Sequence, residues 1–220
     1  CDLVLSASTS EAYAWLFRLL AEPGDQVLVP RPSYPLLDYL SDLEDVVLSG
    51  YPLILDGVWS VDLLEFERAI PPRSRAAVVI HPNNPTGHYL REPEVRAMGE
   101  ICARHGLALI SDEVFLDFAL EGAPVPRPGS LAELELPCLT FSLGGLSKSA
   151  ALPQLKLAWI RLGGPEAMRD QARARLEVIA DTFLSVNTPV QRALPTLLET
   201  RRTVAEQIRS RANANVVRLK

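Results

Sequence analysis

Lys148 stands in the run Phe141-Ser-Leu-Gly-Gly-Leu-Ser-Lys-Ser149 and is one of only three lysines in 220 residues, with Lys156 and Lys220. Lysine and arginine together number 22, so 19 of the basic residues are arginine. An amine forms a Schiff base with a carbonyl, and a guanidinium does not. Taken alone, Lys148 reads as a solvated surface lysine. Three further segments change that. Ser8-Thr9-Ser10 precedes a helix-like run, where hydroxyls and backbone N–H groups offer an anion site suited to phosphate, or a plain helix cap. In His81-Pro-Asn-Asn-Pro-Thr-Gly87, two prolines and a glycine fix the backbone and present Asn84 as a donor, although these are also ordinary turn residues. Ser111-Asp112-Glu113 places a carboxylate where it could pair with a cationic ligand group or cap a helix.

The elements that must position these groups alternate along the chain. Apolar runs at 3–5, 26–29, 46–48, 76–80, 107–110, 139–142 and 157–160 read as strands. Amphipathic runs between them read as helices. One covers 11–20, and one over 61–70 has Ser60 as its expected cap. Another has Pro93 in its first turn and ends before Gly106, and a long one covers about 165–184. A last helix starts near Pro189, with Pro195 either kinking it or marking a late start. Apolar strands bounded by helices predict a three-layer α/β/α protein with a mostly parallel sheet. Ligands of such sheets bind at the carboxyl ends of the strands, and all four segments fall at such ends.

The set has one coherent chemical reading. Pyridoxal phosphate needs an amine for its aldehyde, a carboxylate for its pyridinium nitrogen, a donor to its ring oxygen and a phosphate cradle. Lys148, Asp112, Asn84 and Ser8, Thr9 and Ser10 supply these in turn. Tyr34, in Pro32-Ser-Tyr-Pro35, could stack on the ring or be a plain turn aromatic.

Composition narrows the class. The chain is 48% hydrophobic and 22% charged, enough apolar content for a sizeable core. A formal net charge of -5 without a basic run argues against nucleic-acid binding. The cysteines at 1, 102 and 138 are scattered without a CxxC pair, so neither a disulfide framework nor a metal site is expected, and a reducing cytoplasm fits best. No apolar run approaches the roughly 18 residues that span a bilayer. The chain opens at Cys1-Asp-Leu-Val-Leu, inside an apparent strand, and is expected to be a fragment.

Over nearly its whole length the sequence resembles the class I/II aminotransferases, fold-type-I pyridoxal-phosphate enzymes related to aspartate aminotransferase. The resemblance rests on Asn84-Pro-Thr-Gly87, Ser111-Asp112-Glu113, Ser147-Lys148 with the downstream Leu152-Pro-Gln-Leu-Lys-Leu-Ala-Trp-Ile160, and Pro23-Gly24-Asp25 through Pro35, in matching order and spacing. It implies that Lys148 is the Schiff-base lysine and proton shuttle. Asp112 would keep the ring nitrogen protonated, Asn84 bond the ring oxygen, Tyr34 cover the ring, and Ser8, Thr9, Ser10 and Ser147 bind phosphate. Two positions depart from the pattern. Phe115 stands where most relatives carry a tyrosine that bonds the ring oxygen. Lys156 stands where they carry an arginine toward the phosphate, and it could instead face solvent from its strand.

The resemblance further implies a homodimer acting on an amino acid and a 2-oxo acid. Residues 1–215 would form the cofactor-binding large domain, incomplete at its N-terminal side, and 216–220 would begin a missing C-terminal small domain. That small domain would carry the arginine for the substrate carboxylate, so none of the arginines here is assigned to it. Other fold-type-I chemistries (lyase, decarboxylase, synthase) and an aminotransferase-like effector domain of a transcription regulator are the alternatives.

Overall fold

The computed structural model describes residues 2–121 and 129–219; Cys1 and Lys220 lie outside the described residues. In chain order the elements are β1 (Leu3–Ser6), α1 (Thr9–Leu20), β2 (Gln26–Arg31), α2 (Leu36–Leu43), β3 (Val47–Asp56), β4 (Val58–Val61), α3 (Leu63–Arg68), β5 (Ser74–Ile80), α4 (Glu92–His105) and β6 (Ala108–Asp112). There follow β7 (Thr140–Gly145), α5 (Leu146–Ser149), β8 (Ala158–Gly163), α6 (Glu166–Asp181) and α7 (Thr188–Leu219).

The eight strands form one sheet in the order β1-β8-β7-β6-β5-β2-β3-β4. β7, β6, β5, β2 and β3 run parallel to one another. β8 pairs antiparallel with both β7 and β1, so β1 points the same way as the parallel five, and β4 closes the far edge antiparallel to β3. Helices cover both faces. Ala12, Trp15, Leu16 and Phe17 of α1, with Leu37 and Leu40 of α2 and Leu176 of α6, pack on Val27, Val78, Ile110 and Phe141. On the other face Phe66 of α3 and Val95, Met98 and Cys102 of α4 pack on Leu28, Val79 and Leu109. A smaller cluster joins Leu146 and Leu157 to Val190 and Leu194 of α7. The expected three-layer fold with a mostly parallel sheet is therefore present.

Local chemistry sets the element ends. The Ser8 hydroxyl accepts from Glu11 N at 3.1 Å while the Glu11 carboxylate accepts from Ala7 N at 2.6 Å, a reciprocal cap on α1. Pro93 lies in the first turn of α4, and Gly106 ends that helix in the left-handed region at φ 67°. The helix expected over 61–70 begins later. Asp62, not Ser60, caps it by accepting from Leu64 N and Glu65 N, because Ser60 is spent in the ladder of β4. Pro195 lies inside α7, which already begins at Thr188, and α7 runs unbroken past residue 215 to Leu219.

The turn into β2 is anchored by Asp25, 1% exposed. Its two oxygens accept from Arg73 Nε at 2.8 Å and Arg75 Nε at 2.7 Å, and Oδ2 also accepts from Glu22 N at 3.1 Å. The Arg75 guanidinium, first, and then the Glu22 N–H pull the carboxyl from its ordinary 3.8 to about 2. A depressed carboxylate value contributes stability that is complete above about pH 4 and is lost as pH falls toward 2. Asp25→Asn is therefore expected to lower the urea midpoint at pH 7 and to flatten its decline below pH 4, as read by circular dichroism at stepped pH.

Candidate active site

The shared strand direction gathers the polar segments at one edge. Ser8, Thr9 and Ser10 follow β1; Tyr34 follows β2; Asn84 follows β5; Asp112 ends β6; Ser147 and Lys148 follow β7. Together with Phe115 these nine residues line one cavity of about 410 Å³, between the start of α1 and the start of α5. Leu36, Leu37, Leu40, Ile80 and Val114 form much of its apolar wall. A second cavity, of about 450 Å³, surrounds Trp159 and Arg161, and none of the sequence-predicted residues lines it.

Asp112 is half-buried and lines the 410 Å³ cavity. Its Oδ1 accepts from Val114 N at 3.2 Å and its Oδ2 accepts from the Tyr13 hydroxyl at 3.2 Å. Burial pushes the Asp112 carboxyl up, while the Val114 N–H, the Tyr13 hydroxyl and the Lys148 charge hold it down. Glu113 turns the other way, as strand alternation requires, and accepts at Oε1 from Ser111 Oγ at 3.0 Å and Leu131 N at 2.9 Å. One carboxylate of the Asp-Glu pair therefore serves the cavity and the other fastens a loop.

The turn after β5 is built around Asn83. Its buried amide donates to Pro32 O at 3.3 Å and Thr86 Oγ1 at 2.9 Å, and Gly87 closes the turn at φ 74° by donating to Asn83 O at 2.7 Å. His81 at its root is neutral: burial lowers it to about 4, and Nδ1 accepts from Leu90 N at 3.1 Å. With Asn83 holding the backbone, the Asn84 side chain is left to the cavity.

Lys148 is exposed on α5, with Nζ 5.8 Å from the centre of the Phe115 ring. Phe115 thus offers the amine an aromatic face and no hydroxyl. Lys156 stands apart from the others. It does not line the cavity, and it is exposed at φ 51°, before β8 begins at Ala158. The strand position expected for it is corrected, because a left-handed residue cannot continue a ladder. Tyr13 and Val114 are cavity residues that the sequence motifs did not reveal. The signal for Tyr13 was its place on α1, one turn behind Thr9 and on the same face.

The donor set fits pyridoxal phosphate. Hydroxyls of Ser8, Thr9, Ser10 and Ser147 surround the N-terminus of a 12-residue helix, a setting for a phosphate. Asp112, with both oxygens oriented by donors, has lone pairs left for a protonated ring nitrogen. Tyr34 and Val114 would offer such a ring apolar surfaces, and Lys148 would offer the amine. Among the described residues no group of three or more His, Cys, Asp or Glu side chains is placed to hold a metal.

Comparison with known proteins places the chain in a family. The model of the aminotransferase class I and II family matches residues 1–220. Glutamate-pyruvate aminotransferase AlaA of Escherichia coli K12 is 30% identical over 207 residues, covering 94% of this chain and 50% of the relative. The S-alkyl-thiohydroximate lyase SUR1 of Arabidopsis thaliana is 29% identical over 200 residues, covering 90% of this chain and 43% of the relative. The solved alanine aminotransferase of Pyrococcus furiosus superposes with a TM-score of 0.82 at 27% identity, over 96% of this chain and 53% of that one. The chain belongs to the class I and II aminotransferases, and it spans about half the length of these relatives.

Ser8 has two separable duties, capping α1 and facing the cavity. Ser8→Ala is expected to lower unfolding stability by about 1 kcal/mol through loss of the cap, whereas Ser10→Ala, which caps nothing, leaves it nearly unchanged. Parallel urea titrations of the two variants check this.

Proposed function

We propose that this chain is the cofactor-binding large domain of a pyridoxal-phosphate-dependent aminotransferase, with the domain body at 1–215 and a small domain beginning from 216. The observation that carries the reading is the convergence of an amine, an oriented carboxylate and a hydroxyl-rimmed helix N-terminus on one cavity from separate strand ends. When bound, pyridoxal phosphate supplies a conjugated ring that draws the electron pair from the Cα of an attached amino acid. Lys148 Nζ is the attachment point for the aldehyde and, once freed, the carrier of the Cα proton. Asp112 holds the ring nitrogen in its protonated form. Asn84 orients the ring oxygen, Tyr34 covers the ring face, and Ser8, Thr9, Ser10 and Ser147 bind the phosphate. Lys156 is the weakest member of the set, since it lies outside the cavity lining.

The substrates of the whole protein are taken to be an amino acid donor and a 2-oxo acid acceptor. A homodimer is supported by apolar surface on α2, where Tyr39 is 69% and Leu43 76% exposed. A cytoplasmic setting is supported by Cys102 and Cys138 being free thiols. Nucleic acid and membrane are not expected partners; no described helix is long and apolar enough to cross a bilayer. The alternative is another fold-type-I chemistry, such as that of a lyase, in place of amino transfer. Product analysis of a full-length enzyme with 2-oxoglutarate separates the two.

The test is an absorbance spectrum with added pyridoxal phosphate, before and after borohydride, followed by a peptide map. A visible band and a reduced adduct on Lys148, both lost in Lys148→Ala, are expected. An adduct spread over Lys156 and Lys220 counts against the reading. In Phe115→Tyr an added donor to the ring oxygen is expected to lower the pH midpoint of the visible band by about one unit. An unchanged or higher midpoint contradicts that role for position 115.

A further inference from the structure

Tyr13 has no part in the chemistry proposed above, yet it touches the group on which that chemistry turns. It lies four residues after Thr9 on α1, so one turn of helix carries both the hydroxyl cradle and this phenol. Tyr13 is 3% exposed, and its ring packs against Phe17 with centroids 6.0 Å apart. Its hydroxyl donates to Asp112 Oδ2 at 3.2 Å, joining residues 99 positions apart. The other oxygen, Oδ1, is held by Val114 N. One donor on each oxygen fixes the plane of the carboxylate and leaves the remaining lone pairs for the cavity.

The phenol is a donor that does not switch off. Burial, and then the Asp112 charge, push the Tyr13 hydroxyl well above its ordinary range, so it keeps its proton wherever the protein works. The titratable groups bearing on Asp112 among the described residues are Tyr13 from α1 and Lys148 from α5. Glu113, the next residue, is turned to Ser111 and Leu131. Lys148 is exposed and committed to the aldehyde, so Tyr13 is the side-chain donor to Asp112 that stays in place while the amine moves.

We propose that Tyr13 is a positioning residue: its hydroxyl holds the Asp112 carboxyl in place and aimed at the cavity, and α1 thereby sets the distance between the phosphate cradle and the partner of the ring nitrogen. The role rests on the pyridoxal phosphate reading, and a measurement without cofactor separates the two. Carboxyl carbon NMR of the cofactor-free chain, with Asp112 assigned by Asp112→Asn, is expected to place the Asp112 midpoint about one unit higher in Tyr13→Phe than in wild type. Incorporated 3-fluorotyrosine keeps the shape, strengthens the donor and should lower that midpoint, which covers the case of a Phe variant that does not fold. Identical midpoints in either comparison overturn the proposal.

The dissociation constant for pyridoxal phosphate, read by absorbance, is expected to rise about tenfold in Tyr13→Phe and not to change with the same replacement in Asp112→Asn. An equal loss in both backgrounds identifies a packing role for the phenol and also overturns it. A wild-type chain that binds no pyridoxal phosphate overturns the cofactor reading and this role with it. Cofactor binding with an unmoved carboxyl titration overturns this role alone.

Discussion

Six strands of this sheet point in one direction, and the site depends on that shared polarity more than on any single residue. A parallel strand leaves its carboxyl end and the start of the following helix at the same edge, so every βα turn there presents backbone N–H groups and short polar side chains together. β1 joins this set although it lies beyond β8, because two successive antiparallel pairings restore its direction. Without β8 between β7 and β1, the hydroxyls of Ser8 to Ser10 would not stand beside Lys148. The largely apolar content of β5, β6 and β7, buried on both faces, serves the same end: it makes a closely packed floor beneath the polar rim.

That rim must hold a charge against burial. An enclosed carboxylate drifts toward its neutral form unless donors and a cation oppose the drift. Here the opposition comes from three directions: the chain just after β6 through Val114 N, α1 through Tyr13, and α5 through Lys148. The helix whose N-terminus faces the cavity is the same helix that donates to the carboxylate through Tyr13, so shifting α1 would disturb both. The five buried residues of α1, Ala12, Tyr13, Trp15, Leu16 and Phe17, make such a shift costly.

The parts legible in the sequence were those written in short runs. The β-branched stretch at 76–80, the Pro93 and Gly106 ends of α4, and the Pro-Gly-Asp turn before β2 each carry their cause within a few residues. Eight of the nine residues that share the cavity were found the same way, because each sits in a local motif at a strand end, while Phe115 entered only as a departure from the family resemblance. What escaped depends on distant partners. β4 is a short edge strand recognisable only from its pairing with β3, and its ladder took Ser60 away from the cap. α2 follows Pro35 with no side-chain cap and is held by Leu37 and Leu40 against the core. Tyr13 looked like one more apolar position on a buried helix face, since its hydroxyl partner lies 99 residues away. Lys156 was misplaced because nothing in Leu155-Lys156-Leu157 announces a left-handed residue at the mouth of a strand.

The geometry also explains how relatives named as aminotransferases and as a lyase can share this half of the molecule. Under the proposed reading, the groups gathered at the rim would all serve one end of the chemistry: holding an anion, keeping a ring nitrogen charged, orienting a ring oxygen and supplying an amine. These tasks are common to any reaction that withdraws electrons from a substrate Cα through the same ring. Which bond breaks in such a reaction depends on how the substrate is gripped, and among the described residues no arginine lines the cavity. Electron withdrawal needs rigid strand ends and substrate choice needs a second surface. A fold that keeps them apart can change its reaction without disturbing Asp112, Asn84 or Lys148.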